Sequence, residues 1–399
     1  MRVVGIVAEY NPLHNGHIYH LEEAKRRTGA AYCIVVMSGN FVQRGEPACT
    51  DKFTRAEWAL QAGADLVIEL PAVFANASAE RFAEGAISLL AETGIVTDLA
   101  FGCEQSDLDA LYRLSDILAD ETPAFRQTLA IHQKQGKSYP RARYDALAEM
   151  GLNPVLLKEL AKPNNILAIE YLRCLNLFAQ DIAPCPIERI QNAYNETALT
   201  GEISSATAIR SAFSNGDPRV ISALPLFVSG ALQFDPQFPI SLNDIGAMML
   251  YKLRSMSVEE LLELPDMGEG LEQVFLRCAR SCCDAESFFA AVKSKRYTLA
   301  RCKRIGMSAL LGINRELGER MRLPENHYLR ILGLRRSARS LLSAIVSLSR
   351  TPIIMRNADV LSCSAAAQES LRIDAFSTDV IAYALKKELH RDNQSAITL

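Results

Sequence analysis

The chain has 399 residues, 49% hydrophobic and 22% charged, with 43 Lys and Arg against 46 Asp and Glu for a formal net charge of −3. That composition excludes a disordered, collagen-like or disulfide-scaffold protein and predicts a globular chain long enough for two or three domains. Taken as an average, the near-neutral balance also speaks against nucleic-acid binding, an inference that assumes evenly spread charge.

The first 105 residues alternate strand and helix signals. Apolar runs at Val3–Ala8, Tyr32–Met37, Leu66–Leu70 and Leu99–Gly102 have the character of strands buried on both faces. Helical patterns lie between them at Ile18–Thr28, Thr54–Ala62 and Ala79–Glu92. This alternation predicts an α/β fold with a Rossmann-like, doubly wound parallel sheet that binds ligands beyond the carboxyl ends of its strands. From about 106 to 180 the pattern turns helical, an insertion before a last strand expected at Pro186–Ile190. A polar loop then leads to a helix capped by Ser204 or Ser205 and stopped by Asn215-Gly216-Asp217-Pro218. Beyond a Pro-containing connection at Leu224–Asp244 the chain reads as mostly helical, at Ile245–Arg254, Val258–Leu264 and Tyr328–Ser347. The expected division is therefore 1–215 and 216–399.

Ten cysteines are scattered without C-x-x-C spacing, which predicts thiols in a reducing compartment; the cluster Cys278, Cys282, Cys283 and Cys302 lacks a nearby histidine and typical zinc spacing. Only six apolar residues follow Arg2 before Glu9, and no segment reaches the roughly 18 apolar residues of a membrane span, so a cytoplasmic protein is expected.

Three of the six histidines, His14, His17 and His20, fall within seven residues after the first strand. Pro12 fixes a turn there, Gly16 removes a side chain where something must approach the backbone, and a helix begins with free N–H groups and a positive dipole end suited to phosphate. Two imidazoles flanking such a site suit adenylyl transfer, in which charge builds on phosphate oxygens and positioned donors do the work.

His14-Asn15-Gly16-His17 resembles the H-x-G-H signature of the nucleotidyltransferase superfamily, and Ile203-Ser204-Ser205-Ala206-Thr207-Ala208-Ile209-Arg210 resembles its second signature, I-S-S-T-x-x-R, with Ala206 in place of Thr. Arg210 would supply a cationic fork to the phosphates and Ser205 a capped helix start. A closer resemblance, to the tRNA(Met) cytidine acetate ligase family, is carried by Val4–Pro12, Met37–Pro47, Lys162–Leu167, Lys295-Arg296-Tyr297-Thr298 and Tyr328–Gly333. It covers nearly the whole chain. The resemblance implies activation of acetate by ATP to acetyl-adenylate and transfer of the acetyl group to the exocyclic amine of the wobble cytidine of elongator tRNA(Met). It also implies nucleotide contacts from Val7, Ala8, Glu9, Tyr10, Asn11, Pro12, Leu13, His14, Asn15, Gly16, His17, Ile18, Tyr19, His20, Gly102, Asn164 and Arg189.

Read from the residues alone, Gly102 ends a strand where ligands approach or simply makes a turn. Arg189 in a strand needs a phosphate, carboxylate or base, Asn164 serves a ligand or caps a helix, and Arg44 meets substrate, RNA or solvent. Mg²⁺ is expected to accompany ATP without a visible ligand set.

The charge is not evenly spread. Residues 277–356 carry 17 Lys and Arg against 5 Asp and Glu, leaving −15 for the remainder. Such a block is the footprint of an RNA-binding surface, with Lys293, Lys295, Arg296, Arg301, Arg304 and Arg330 as contacts and Tyr297 and Tyr328 as base-stacking platforms. Two other readings stay open: a small-molecule adenylyltransferase, and a non-catalytic RNA-binding protein that senses ATP.

Overall fold

The computed structural model describes residues 1–104, 108–119, 121–160, 162–189, 199, 201–233, 238–393 and 395–399. Strand β1 (Val3–Ala8) leads through the histidine-bearing turn to helix α1 (Asn15–Thr28), then to β2 (Tyr32–Ser38). A hairpin of β3 (Phe41–Val42) and β4 (Glu46–Pro47) precedes α2 (Lys52–Gln61), β5 (Leu66–Leu70), the single turn α3 (Ala72–Ala75), α4 (Ala79–Glu92) and β6 (Asp98–Cys103). The helical insertion comprises α5 (Leu108–Ala119), α6 (Pro123–Lys134), α7 (Tyr139–Glu149), α8 (Pro154–Leu160) and α9 (Pro163–Phe178). Strand β7 (Ala183–Glu188) follows, ahead of α10 (Ala206–Ser214). The last strand, expected at Pro186–Ile190, instead starts at Ala183 and ends at Glu188, so Arg189 lies past it, exposed; Ile190, Ser106 and Pro236 lie outside the described residues.

Strands β5, β2, β1, β6 and β7 run parallel in that spatial order. The chain winds outward from β1 through β2 to β5, then returns to the other side of β1 as β6. The switch point lies between β1 and β6, where the outgoing loops diverge and open a crevice. Alternate residues serve the two faces: Val3, Ile34 and Ile68 enter one core, Val4, Val35 and Val67 the other. Gly5 is required by packing, since a Cβ there would lie 2.9 Å from both methyl groups of Leu90.

The second half contains α11 (Leu226–Gln233), α12 (Leu242–Ser255), α13 (Val258–Leu262), α14 (Leu271–Ser281), α15 (Ala285–Val292), α16 (Leu299–Leu311), α17 (Arg315–Arg320), β8 (Leu329–Leu334), α18 (Arg339–Leu348), β9 (Ile353–Ile354), α19 (Ala365–Ala384) and β10 (Ile397–Thr398). Here one expectation is corrected. Leu329–Leu334 is not helical but a buried strand that extends the sheet antiparallel to β5, with β10 beyond it. A short apolar run carries no period that separates a buried strand from a buried helix, and pairing with β5 decides it.

Charged groups also join the halves. Lys52 on α2 and Glu69 on β5, both fully enclosed, bond at 2.7 Å, and Lys52 also meets Asp392 at 2.9 Å. Arg330 on β8 reaches Glu69 at 3.3 Å and pairs with Asp392. Asp374 on α19 accepts from the Ala72 backbone N–H and the Tyr328 hydroxyl; burial and then the Glu69 charge push its carboxyl up to about 7. Buried charges survive only when paired and hydrogen-bonded in this way.

Candidate active site

A cavity of about 280 Å³ opens at the carboxyl end of the sheet beside the switch point. Its walls come from the β1–α1 turn, the β3–β4 hairpin, the end of β6, the start of α9, the end of β7 and the start of α10. The ends of parallel strands β1, β6 and β7 supply its base, and Phe82 on α4 and Tyr171 on α9 close one side.

The turn after β1 sets the histidines. Tyr10 adopts a left-handed φ of +46° and its ring meets His17 edge-on at 5.0 Å. The Asn11–Pro12 bond is cis, and the Asn11 side chain accepts from the Cys49 N–H at 2.7 Å. His14 ends the turn as the N-cap of α1, and its backbone N–H donates to Nδ1 of His17 at 3.2 Å. That bond leaves the His17 proton on Nε2, so the ring offers a donor there. The two rings stack at 3.7 Å, over Gly16, where a Cβ would lie 3.0 Å from the His14 ring.

All three imidazoles are held neutral. Burial, then the charges of Arg189 and Arg210, push His14 down to about 3; burial and Arg189 push His20 down to about 4. His17 is lowered well below the usual value by burial, then by His14, Arg189 and His20. His14 Nδ1 and His20 Nε2 are enclosed without a hydrogen-bond partner among the described residues. Unpartnered polar atoms in a cavity wall suit a polar ligand.

The second signature closes on the first. Ser205 caps α10 by accepting from the Ala208 N–H at 3.1 Å, resolving the choice between the two serines. Arg210 donates from Nη1 to the Asn11 carbonyl at 2.6 Å. Asn15 ties the same turn to Glu202 O and Ser222 O, each at 2.9 Å. Across the cavity, Arg189 donates to Asn164 Oδ1 at 3.3 Å while Asn164 donates to Glu104 at 3.0 Å. Asn164 is thus no helix cap: Lys162 takes that position on α9. The Arg189 stem lies 3.6 Å from a Cβ built on Gly102, ordinary contact.

The HIGH nucleotidyl transferase family matches residues 1–396. A tRNA(Met) cytidine acetate ligase of Caldanaerobacter subterraneus subsp. tengcongensis is 39% identical over 390 residues, covering 97% of this chain and 96% of the relative. That of Acetivibrio thermocellus is 36% identical over 402 residues, covering 98% and 97%. The chain belongs to the tRNA(Met) cytidine acetate ligase family. A crystal structure of Thermotoga maritima TmcAL in apo form I, 33% identical, matches with a TM-score of 0.94 and both chains fully covered. A second form, bound with alpha-thio ATP, matches at 0.92 with the same identity and coverage.

Not every residue expected at the nucleotide of an acetate ligase lines the cavity. Val7, Ala8, Glu9, Tyr10, Asn11, His14, Gly16, His17, Tyr19, His20, Gly102, Asn164, Arg189, Ser205 and Arg210 do. Pro12, Leu13, Asn15 and Ile18 do not; Leu13 is fully buried in the core beneath the turn.

The basic surface divides further. Arg330 is corrected outright: it is buried in β8 and spent on Glu69 and Asp392, so it cannot meet RNA. Neither tyrosine is an open stacking platform: Tyr328 is fully buried with its hydroxyl on Asp374, and Tyr297 is buried, donates its hydroxyl to Glu269 O at 2.7 Å and has Arg296 and Arg301 at 5.6 and 5.4 Å from its ring. Arg296 and Arg301 pair with Glu269, and Arg304 with Asp266. Lys293 and Lys295 are exposed. Arg44 lines the cavity from the hairpin, which rests on α16: a Cβ on Gly45, at φ +73°, would lie 2.3 Å from the Arg304 nitrogen, and Glu46 pairs with Lys303.

Sequence reading missed Arg55. Fully buried on α2, it donates to the carbonyls of Glu9 (2.7 Å), Ser38 (3.0 Å), Thr50 (3.1 Å) and Gly39, tying the end of β1, which lines the cavity, to the end of β2 beside it. The available signal was Lys52 and Arg55 on a stripe otherwise made of Phe53, Ala56 and Ala59, since charges on an apolar face require buried partners.

Proposed function

We propose that the chain activates acetate with ATP to acetyl-adenylate, releasing pyrophosphate, and transfers the acetyl group to the exocyclic amine of the wobble cytidine of elongator tRNA(Met). The observation that carries this reading is the convergence on one cavity of a stacked neutral histidine pair, Arg210 and a hairpin seated on a helix of the basic segment. The names of the relatives and the ATP analogue bound by the Thermotoga neighbour support it.

An acetate oxygen attacks the α-phosphorus and pyrophosphate leaves. His17, donating through Nε2, and His14 stabilise charge on the phosphate oxygens without the tight hold of a permanent cation, while Arg210, Arg189 and the α1 N-terminus supply fixed positive potential. The amine of cytidine is a poor nucleophile, so a mixed anhydride is needed before it can attack. The target base must be unstacked to enter the cavity. Residues 1–215 hold the nucleotide and the basic face of 216–399 holds the RNA. No group of three or more metal-ligating side chains occurs among the described residues, and Mg²⁺ arriving with ATP would be held chiefly by phosphates and water. No described helix is long and apolar enough to cross a membrane, and all ten cysteines are free thiols.

Incubation with ATP, labelled acetate and bulk tRNA tests the reading. Label in RNA is the expected result. An adenylated small molecule instead would indicate a metabolite adenylyltransferase, and tRNA binding without turnover a non-catalytic sensor.

A further inference from the structure

Transfer of an acetyl group to an amine creates a proton that must go somewhere, and the histidines are poorly placed to take it. His17 presents Nε2–H to the cavity because its Nδ1 is occupied by the His14 backbone N–H, and burial lowers the proton affinity of His14, His17 and His20 alike. Of the other carboxylates on the cavity wall, Glu46 is engaged by Lys303, and Glu188 is exposed at the end of β7 next to Arg189.

Glu9 is different. It follows directly on β1, lines the cavity, and is held from two sides. Its carbonyl accepts from Arg55 at 2.7 Å, and its Oε1 accepts the Gln43 backbone N–H at 2.9 Å. Its second carboxylate oxygen makes no hydrogen bond or ion pair among the described residues. The hairpin that anchors Oε1 also carries Arg44 into the cavity and rests on α16, so Glu9 stands where the nucleotide site meets the basic face.

On the reading proposed above, we propose that Glu9 is the general base of the second half-reaction, its free carboxylate oxygen accepting the proton lost by the target amine. The nitrogen–carbon bond forms at the acyl carbon, the carbon–oxygen bond to phosphate breaks, AMP leaves with that electron pair, and the proton passes from nitrogen to Glu9 and then to water. Burial raises the Glu9 carboxyl above the usual carboxylate range, against the Gln43 N–H and the charges of Arg44, Arg210 and Arg55. The buried Tyr171 hydroxyl on α9, itself raised by burial, stays protonated opposite it. A raised carboxyl holds the transferred proton more firmly than an ordinary carboxylate, which favours a base role.

The test separates the half-reactions in the full-length protein. Acetate-dependent ATP–pyrophosphate exchange reports adenylate formation, and single-turnover transfer of labelled acetyl to tRNA reports the second step. Glu9→Gln, which preserves the acceptor for Gln43, is expected to lower the ratio of transfer to exchange by about 10². In the wild type the transfer rate is expected to rise with pH through one ionisation, and Glu9→Asp to move that ionisation. Parallel loss of both steps in Glu9→Gln, or a raised KM for acetate in exchange alone, would assign Glu9 to substrate binding and overturn the proposal. So would a pH-independent transfer rate in the wild type, whatever the variants do. Absence of acetylated tRNA from the wild type would instead strike the functional reading itself.

Discussion

Arg210 Nη1 and the Asn11 carbonyl oxygen lie 2.6 Å apart across 199 residues of chain, and that bond welds the two nucleotide signatures into one site. The guanidinium thus both closes the cavity and shapes the turn that presents His14 and His17. Arg210→Lys keeps the charge but loses the planar fork, and acetate-dependent ATP–pyrophosphate exchange is expected to fall by about 10². Exchange within twofold of wild type, roughly 0.4 kcal/mol, would deny the residue this role.

On the proposed function, His14 and His17 act as neutral donors. His17→Ala is expected to reduce exchange by about 10²–10³ while tRNA affinity, measured by filter binding, stays as it was. Because both imidazoles are already neutral, wild-type exchange should show no histidine titration between about pH 6 and pH 8; a bell centred there would mean that a protonated imidazole is required.

Neutral burial of His14 also makes stability depend on pH. The unfolded imidazole binds a proton near pH 6.5, whereas the folded one resists until about pH 3. Between those values the unfolded chain binds more protons, so stability rises with pH through this window, is complete above about 6.5 and is lost progressively as the pH falls. His14→Gln should therefore narrow the difference between urea midpoints at about pH 5 and about pH 7.5. An unchanged difference would place the acid sensitivity elsewhere.

Lys52→Met tests the charge cluster joining the halves. Removing the ammonium leaves Glu69 and Asp392 sharing only Arg330, and a loss of about 3–5 kcal/mol in unfolding free energy is expected. Adding Glu69→Leu should recover part of that loss, since the uncompensated charge is then gone.

Lys293 and Lys295 are exposed on the basic segment, whereas Arg296 and Arg301 share Glu269. Changing both lysines to Ala is expected to weaken tRNA binding and make its salt dependence shallower by about one counterion per residue. An unaltered slope would turn this face away from the RNA.

Much of this protein was legible in one dimension because the signals are local. Strand runs such as Val3–Ala8 and Leu66–Leu70 announce a parallel sheet, since strands buried on both faces need no polar alternation, and the H-x-G-H turn must follow the first of them. The two signatures and the basic block are likewise matters of residue type and spacing. What pairing and enclosure decide was not legible. Leu329–Leu334 became a strand because β5 offered it an edge, and that placement withdrew Arg330 from the exposed basic face. Tyr297 lost its open face to two flanking arginines. Arg55 and Glu9 acquired their places only when four carbonyls and the Gln43 N–H converged from distant segments. Sequence by itself determined the fold class and the chemistry; only tertiary structure decided which charges face a ligand and which are consumed holding the chain together, because desolvation depends on what packs around a group rather than on its neighbours in sequence.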